Sequence, residues 1–530
     1  MTRFSNVRPR EIQSIIRLEN IESNRASKVE KTFTQGLNSE QMEAVLFDQA
    51  KGPLLVLAGA GAGKTTVLTR RIAWLCHKME SEIKKNQDQF ETHMDPARIL
   101  ALTFTKEAAL EMESRLKNFG GASAIPWIGT FHAFAFSILR EFVLGSSNWH
   151  RLGFSKSLTL LNEAARKEWL VQCRRNFFPE WSLDQLQHFL SGPFEKDENQ
   201  FQKRGDTQIE SILDLRRKYR VYLLESGQIG FDDMVTLVLR LFTEHKAVLA
   251  EYQRRFGFVL VDEFQDTSHD QFEFLRLLMG ENQNLFLVGD DDQAIYGFRG
   301  ADLTNMDKAF EAFPTMNLLK LETNYRSSKP IVKYANEVFR NKPVRFRKQL
   351  VAGNKKITEA NPVQKIIHAN GIDQGKWLIQ ELVSLTQKHG MAWTEIALLF
   401  RIRALEKYYR SLIQNYFGSE VMQKVVFTTV HGAKGLEFPV VFFMGLEDGI
   451  LPYHRPSEIL PPEKMAEERR IFYVGVTRAQ RFLYLCALKK RVLHGRELEA
   501  KPSPFLRRGF FLSKGKKWCG LKFSASLNLW

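Results

Sequence analysis

Eight consecutive residues, Ala58-Gly59-Ala60-Gly61-Ala62-Gly63-Lys64-Thr65, bring together the residue types that a chain of phosphates requires. Glycines let backbone N–H groups turn toward phosphate oxygens. The lysine would reach the β- and γ-phosphates, and the neighbouring hydroxyl would bind Mg²⁺. The strict pattern has Gly where Ala58 stands, whereas Gly61, Gly63, Lys64 and Thr65 keep their places. The apolar run 54–57 precedes the loop, and 67–75 continues with helical spacing, so the context is strand, loop, helix. A second chemical signal is Asp262-Glu263, which follows the apolar residues 258–261. Two carboxylates on a loop are usually solvated surface. After a short buried strand, in a chain with a phosphate loop, Asp262 could hold Mg²⁺ and Glu263 could polarise an attacking water. ATP or a close relative is the expected substrate.

These residues must be positioned by repeating elements. Apolar runs at 99–104, 258–261 and 285–288 read as further strands, and 107–116 reads as a helix. Strand patterns recur at 396–400, 425–429, 440–444 and 482–486. Short buried strands alternating with helices indicate a parallel α/β sheet with its working loops at the strands' C-terminal ends. From about 140 to 228 the pattern is helical and basic, with Arg216, Arg217, Lys218 and Arg220 clustered. The expectation is two α/β cores, the first carrying a helical insertion. The charged stretches 79–97, 193–209 and 341–362 read as loops.

Composition bounds the rest. The 530 residues are 44% hydrophobic and 26% charged, which excludes wholesale disorder and fibrous repeats. No apolar run reaches the length of a membrane span, and residues 1–30 lack the pattern of a secretory signal, so a cytoplasmic protein is expected. Cys76, Cys173, Cys486 and Cys519 are far apart and read as reduced, structural thiols. The net charge of +16 suits a polyanionic partner, most simply nucleic acid. After Glu499 come seven basic residues and no acidic one, with Phe505, Phe510, Phe511, Trp518, Phe523 and Trp530 among them. Three readings of this basic aromatic tail, 501–530, stay open: it holds DNA, it docks on a repair, replication or transcription protein, or it is a solvated tail.

The stretch Leu260-Val261-Asp262-Glu263-Phe264-Gln265-Asp266-Thr267 resembles motif II of the UvrD/Rep family of superfamily 1 DNA helicases. The resemblance then extends along most of the chain in the family's order. Leu37-Asn38-Ser39-Glu40-Gln41 resembles the Q motif, Thr103-Phe104-Thr105 motif Ia and Gly129-Thr130-Phe131-His132 motif Ib. Gly230-Phe231-Asp232-Asp233 resembles the element before motif II, and residues 288–301, from Val288 through Gln293 and Tyr296 to Ala301, resemble motif III. Residues 321–328, around Asn324-Tyr325-Arg326, resemble motif IV. Residues 429–438, around His431 and Glu437, resemble motif V, and 473–479, ending in Thr477-Arg478-Ala479, motif VI. The chain is identified by these motifs as a member of that family.

The resemblance implies two RecA-like cores with ATP between them. Lys64, Thr65, Asp262 and Glu263 would lie on the first core, and Arg326 and Arg478 on the second would act as arginine fingers on the γ-phosphate. Gln41 would read adenine, Tyr325 would stack on it, Glu437 would contact the ribose, and Gln293 would link the γ-phosphate to the DNA track. Gly59, Ala60, Ala62 and Thr66 complete the nucleotide loop; Thr66 stands where relatives often carry Arg. Phe104, Tyr296 and Phe298 match base-stacking positions, with Phe298 where Trp is common. Thr130, His132, Arg299 and His431 are further candidate DNA contacts. Single-stranded DNA and single-strand/duplex junctions are the implied partners, with 3′→5′ travel.

The implied organisation is an N-terminal extension 1–36, a first core 37–139 and 229–315, a helical insertion 140–228 called 1B, a second core 316–500, and the tail. A further helical subdomain of typical members, 2B, is reduced here to the link 414–424, which is too short to bury a core of its own. The expectation is an ATP-dependent DNA translocase or helicase, monomeric or weakly oligomeric. The competing readings are a nucleotide-gated DNA-binding adaptor and a translocase that needs a partner to unwind.

Overall fold

The computed structural model describes residues 30–85, 95–119, 126–146, 158–190, 209–231, 233–339, 346–354, 363–455, 458–493 and 496–506. The chain forms two compact units that meet in sequence between Glu322 and Thr323. In the first, strands β1 (Leu54–Ala58), β2 (Ile99–Thr103), β3 (Trp127–Thr130), β6 (Phe258–Val261), β7 (Leu285–Gly289) and β8 (Asn317–Leu321) build one sheet in the order β3-β2-β6-β7-β1-β8. A two-residue parallel pair, β4 (Thr159–Leu160) with β5 (Gln228–Ile229), stands apart from it.

All neighbours in the large sheet are parallel. Every residue of β1, β2 and β7 is buried, as continuous apolar runs must be when helices cover both faces of a sheet. The helix Lys64–Lys85 packs Val67, Leu68, Ile72 and Leu75 into the core with Leu54, Val56 and Val288. Because all six strands run the same way, Gly59, Phe104, Phe131, Asp262 and Asp290 each follow a strand end on one edge of the sheet. The sheet thereby gathers the sequence motifs before any side chain is considered.

The helical insertion has its own apolar cluster. Helices Glu163–Phe177, Leu183–Phe189 and Ile209–Ser226 enclose Leu170, Cys173, Trp181, Leu186, Leu215 and Tyr219.

The second unit begins with a short parallel pair, β9 (Thr323–Asn324) and β10 (Val351–Ala352). Its main sheet contains β11 (Gln364–His368), β12 (Ile396–Phe400), β13 (Val426–Thr429), β14 (Phe438–Phe443) and β15 (Ala479–Leu488), in the order β11-β15-β14-β12-β13 and again all parallel. A hairpin, β16 (Lys490–Leu493) with β17 (Arg496–Glu499), follows.

The structure differs from the sequence reading in four places. The first unit extends past the expected limit at 315, because Asn317–Leu321 hydrogen-bonds to β1 along its length. Strands β3, β8 and β11 were not apparent as apolar runs because they are only half-buried. The stretch 79–97, read as a loop, is helical as far as Lys85 and contains the short turn Pro96–Arg98. Within 341–362, Val351–Ala352 is a strand rather than a loop. The link 414–424 consists of the end of helix Glu406–Phe417 and the short helix Ser419–Lys424, which lead directly into β13.

The described cysteines Cys76, Cys173 and Cys486 are buried and unpaired with one another. Burial, with Glu80 nearby, pushes the Cys76 thiol up to about 12, so these thiols are inert at neutral pH. Cys519 lies outside the described residues.

One buried ion pair closes the second unit. Arg491 donates to Glu447 through Nε and Nη2, each at 2.8 Å, and the Leu488 N–H donates to Glu447 at 2.6 Å. Glu447 is 1% exposed. Removing one member of such a pair strands the other without compensation, so Glu447→Ala is expected to destabilise the second unit by about 3–5 kcal/mol. Chemical denaturation of the full chain would measure this, and a loss within experimental error would show that the pair is dispensable.

Candidate functional site

The glycine loop leaves β1 and enters the helix Lys64–Lys85 within five residues. Gly61 and Gly63 have positive φ, 68° and 83°. At Gly63 the positive φ disfavours a side chain, and a Cβ there would lie 2.8 Å from Gln41 Nε2 and push that amide aside. The loop therefore exposes backbone N–H groups at a helix N-terminus, where the peptide dipoles favour an anion.

Gln41 braces this loop. Its Nε2 donates to the Ala62 carbonyl at 2.9 Å, and its Oε1 accepts the Asn38 N–H at 3.1 Å in a capping box. The amide group retains further hydrogen-bonding capacity, one N–H and one lone pair.

Lys64 Nζ lies 3.1 Å from Glu263 Oε2. Glu263 has φ 49°, the only positive φ at a non-glycine among the described residues. Such strain at a side chain of this kind occurs where surrounding contacts fix the position. Those contacts continue as a chain. Gln265 Nε2 donates to Glu263 Oε2, while Gln265 Oε1 accepts the Asp290 N–H at 2.8 Å. Asp290 Oδ2 then accepts from Gln293 Nε2 at 2.5 Å. Gly289 makes this approach possible, because a Cβ there would meet Gln265 Oε1 at 2.8 Å. The two buried amides thus connect the end of β6 to the end of β7.

Asp262 is 4% exposed, and its carboxylate accepts the Glu263 N–H at 2.9 Å. Burial first, then the neighbouring charge of Glu263, raises its carboxyl to about 7, with Lys64 opposing the shift.

The loop after Asp290 carries the aromatic candidates. Phe104, just past β2, stacks on Tyr296 with ring centres 5.0 Å apart and planes 17° apart. Phe298 meets Tyr296 edge-on at 6.0 Å and is 63% exposed. The Arg299 guanidinium sits 5.2 Å from the Tyr296 ring centre and 5.7 Å from that of Phe298. His132 packs on the exposed Phe231, ring centres 5.0 Å apart. Thr130 uses its hydroxyl to accept the Ala133 N–H at 3.1 Å, so it also starts its helix. Asp232 lies outside the described residues.

In the second unit, Asn324 shapes the turn that presents Tyr325 and Arg326, its Oδ1 accepting the N–H groups of Arg326 at 2.9 Å and Ser327 at 2.7 Å. Ser327 Oγ donates to the Ala479 carbonyl at 2.7 Å and joins this turn to β15. Arg326 pairs with Glu437 and donates to the Thr477 carbonyl at 3.1 Å. Arg478, fully buried, donates to the carbonyls of Val474 at 3.0 Å and Leu436 at 3.1 Å and to Thr477 Oγ1 at 3.3 Å. Both guanidinium groups therefore converge on Thr477. Tyr325 is exposed, and Glu437 also accepts from Gln480 at 2.9 Å. His431 is half-buried in the loop that follows β13.

Sequence reading gave Gln265, Asp290, Asn324, Ser327 and Thr477 no role, although each falls within a quoted motif. The missing signal was burial. A buried amide or hydroxyl must find partners, and following those partners reveals the network.

A glycine loop and an acidic pair at the ends of buried parallel strands, with stacked aromatics at adjacent strand ends, define a P-loop α/β domain of the RecA kind. Residues 37–314 match the UvrD/REP helicase N-terminal domain, and residues 410–490 match the UvrD-like helicase C-terminal domain. The ATP-dependent DNA helicase PcrA of Staphylococcus aureus (strain Mu50 / ATCC 700699) is 26% identical over 651 residues, which covers 89% of this chain and 86% of that protein. PcrA of Staphylococcus epidermidis (strain ATCC 12228 / FDA PCI 1200) is 26% identical over 655 residues, covering 90% and 86%. The chain belongs to the UvrD/Rep helicase family. No helix among the described residues is long and apolar enough to cross a membrane.

The raised Asp262 carboxyl has a measurable consequence. Its folded pKa near 7 exceeds the unfolded value of about 4, so its contribution to stability is full below pH 4 and is lost as pH rises through 7. Asp262→Asn removes the charge, so thermal denaturation of nucleotide-free protein should show a stabilisation that grows from pH 5 to pH 8. A pH-independent difference would contradict the assignment.

Proposed function

We propose that this helicase is an ATP-dependent single-stranded DNA translocase that unwinds duplex DNA, moving 3′→5′. The observation that carries the reading is the hydrogen-bonded chain Lys64–Glu263–Gln265–Asp290–Gln293, which runs from the phosphate loop to the loop bearing Tyr296, Phe298 and Arg299.

In this reading the loop N–H groups and Lys64 bind the triphosphate, and Glu263 orients and polarises the attacking water. Thr65 and Asp262 offer a hydroxyl and a carboxylate, hard oxygen donors suited to Mg²⁺. The cation would neutralise phosphate charge, and it would keep Asp262 ionised where burial now favours the proton. Arg326 and Arg478 add positive charge at the γ-phosphate. Gln41 and Tyr325 recognise adenine, and Glu437 the ribose. Phe104, Tyr296 and Phe298 provide stacking faces, each worth about 1–3 kcal/mol per base with little sequence preference. Thr130, His132, Arg299 and His431 add backbone or base contacts.

The proposed organisation is two RecA-like cores, with 1B between β3 and β6 and with 2B reduced to 414–424. The 651 aligned positions shared with PcrA exceed the 530 residues of this chain, so more than a hundred fall opposite gaps here, which supports a missing subdomain. A cytoplasmic location and binding at single-strand/duplex junctions follow from the same reading.

Paired ATPase and strand-displacement assays on wild type and Lys64→Ala test it. The wild type should show ATPase stimulated by single-stranded DNA and should unwind a 3′-tailed duplex. Lys64→Ala should lose both activities by at least about a hundredfold. A wild-type ATPase indifferent to DNA would overturn the motor reading.

A further inference from the structure

The loop that bears Tyr296, Phe298 and Arg299 is fastened at both ends, and both fastenings lead back to one short stretch of chain. At its entry the Asp290 N–H donates to Gln265. Its exit is the segment 301–305, where the chain turns into the helix Asn305–Ala312. There Ala301 bridges to Ser268 as one rung of antiparallel sheet, and the Asp302 N–H donates to the Thr267 carbonyl at 2.9 Å. Gln265, Thr267 and Ser268 all lie within five residues of Glu263.

The exit depends on one buried side chain. Asn305 is 1% exposed. Its Nδ2 donates to the carbonyls of Thr267 and Ser268, each at 3.0 Å, and to Thr267 Oγ1 at 3.2 Å. These acceptors settle which way the amide points. Two are carbonyls, and Thr267 Oγ1 spends its own proton on the Phe264 carbonyl at 2.7 Å, so a flipped amide would set oxygen against oxygen. Asn305 Oδ1 has no hydrogen-bond partner among the described residues. The amide therefore directs its hydrogen bonding to Thr267 and Ser268 alone.

A local role does not account for this. Asn305 is the first residue of its helix, yet its amide reaches backbone 38 and 37 residues earlier in the chain. Thr304, just before it, is engaged with Asp302, whose Oδ1 accepts its N–H at 2.9 Å and its hydroxyl at 2.6 Å. The neighbouring ion pair of Lys308 with Asp302, at 2.9 Å, is half-exposed and holds the loop weakly by comparison. Two anchors also have a mechanical consequence that one lacks. Held only at Asp290, the loop would bend when Gln265 moved. Held again at 301–305, it travels with the stretch 263–268 as one body.

We propose that Asn305 is a positioning residue of the helicase: its amide locks the exit of the loop to the backbone behind Glu263, so that the acidic pair and the stacked rings respond to nucleotide together. This rests on the proposed reading in which those rings contact single-stranded DNA.

Two measurements on the full chain, as wild type, Asn305→Ala and Asn305→Ser, test the proposal and separate it from that reading. The first is hydrogen–deuterium exchange in the peptide covering 296–304, without DNA, before and after a non-hydrolysable ATP analogue is added. The wild-type peptide should change its exchange rate on binding. In Asn305→Ala that response should shrink by about fivefold or more, with affinity for the analogue within about twofold. The second is ATPase with and without single-stranded DNA. Asn305→Ala should keep its basal rate and its KM for ATP within about twofold and lose about fivefold or more of the stimulation. Asn305→Ser keeps one donor and should fall between, whereas Lys308→Ala should behave as wild type. An unchanged nucleotide response of 296–304 in Asn305→Ala would overturn the proposal, whatever DNA does to the ATPase. A wild-type ATPase indifferent to DNA, beside a lost response in Asn305→Ala, would count for the coupling and against the motor reading.

Discussion

Lys64 and Glu263 are 199 residues apart in sequence and 3.1 Å apart in space. That contact joins the two signals that carry the chemistry, the phosphate loop and the acidic pair, and it depends on a parallel sheet in which β1 and β6 end on the same edge with β7 between them. The carboxylate that holds Lys64 is itself held by Gln265, and through Gln265 by the backbone of Asp290. A triphosphate entering the loop would compete for Lys64. Any change at Glu263 would then pass to a loop that ends in stacked rings. The site is thus sensitive by construction, because buried amides in this chain have few alternative partners.

The same logic appears separately in the second unit. Arg326 and Arg478, far apart in sequence, meet at Thr477, and Ser327 fastens the first turn to β15. Each guanidinium is fixed by several acceptors, so its position is set before any ligand is present. Preorganised positive charge of this kind is what a phosphoryl-transfer enzyme requires.

How much of this was legible in sequence follows from burial. β1, β6, β7 and β12 announce themselves as apolar runs because both faces are covered, while β3, β8 and β11 lie at sheet edges and mix polar residues into the run. The glycine loop was readable because phosphate binding demands small residues and a lysine at fixed spacing. Gln265 was not, since nothing in its neighbours says that its amide turns back toward Glu263. Gly289 resembled any strand-end glycine until its contact with Gln265 supplied a reason for it. Gln41 was given a nucleotide-facing role, and its second task, bracing Ala62, depends on a fold that places residue 41 beside residue 62.

The central claim is that the buried amide chain transmits the state of the phosphate loop to the loop that bears Tyr296, Phe298 and Arg299. Coupling between sites in proteins is typically worth about 5–150-fold. The most direct test is the ATPase of Gln265→Ala measured with and without single-stranded DNA, alongside its DNA affinity. The account predicts that DNA affinity stays within about threefold of wild type while stimulation by DNA falls by about tenfold or more. Full stimulation in Gln265→Ala would contradict it.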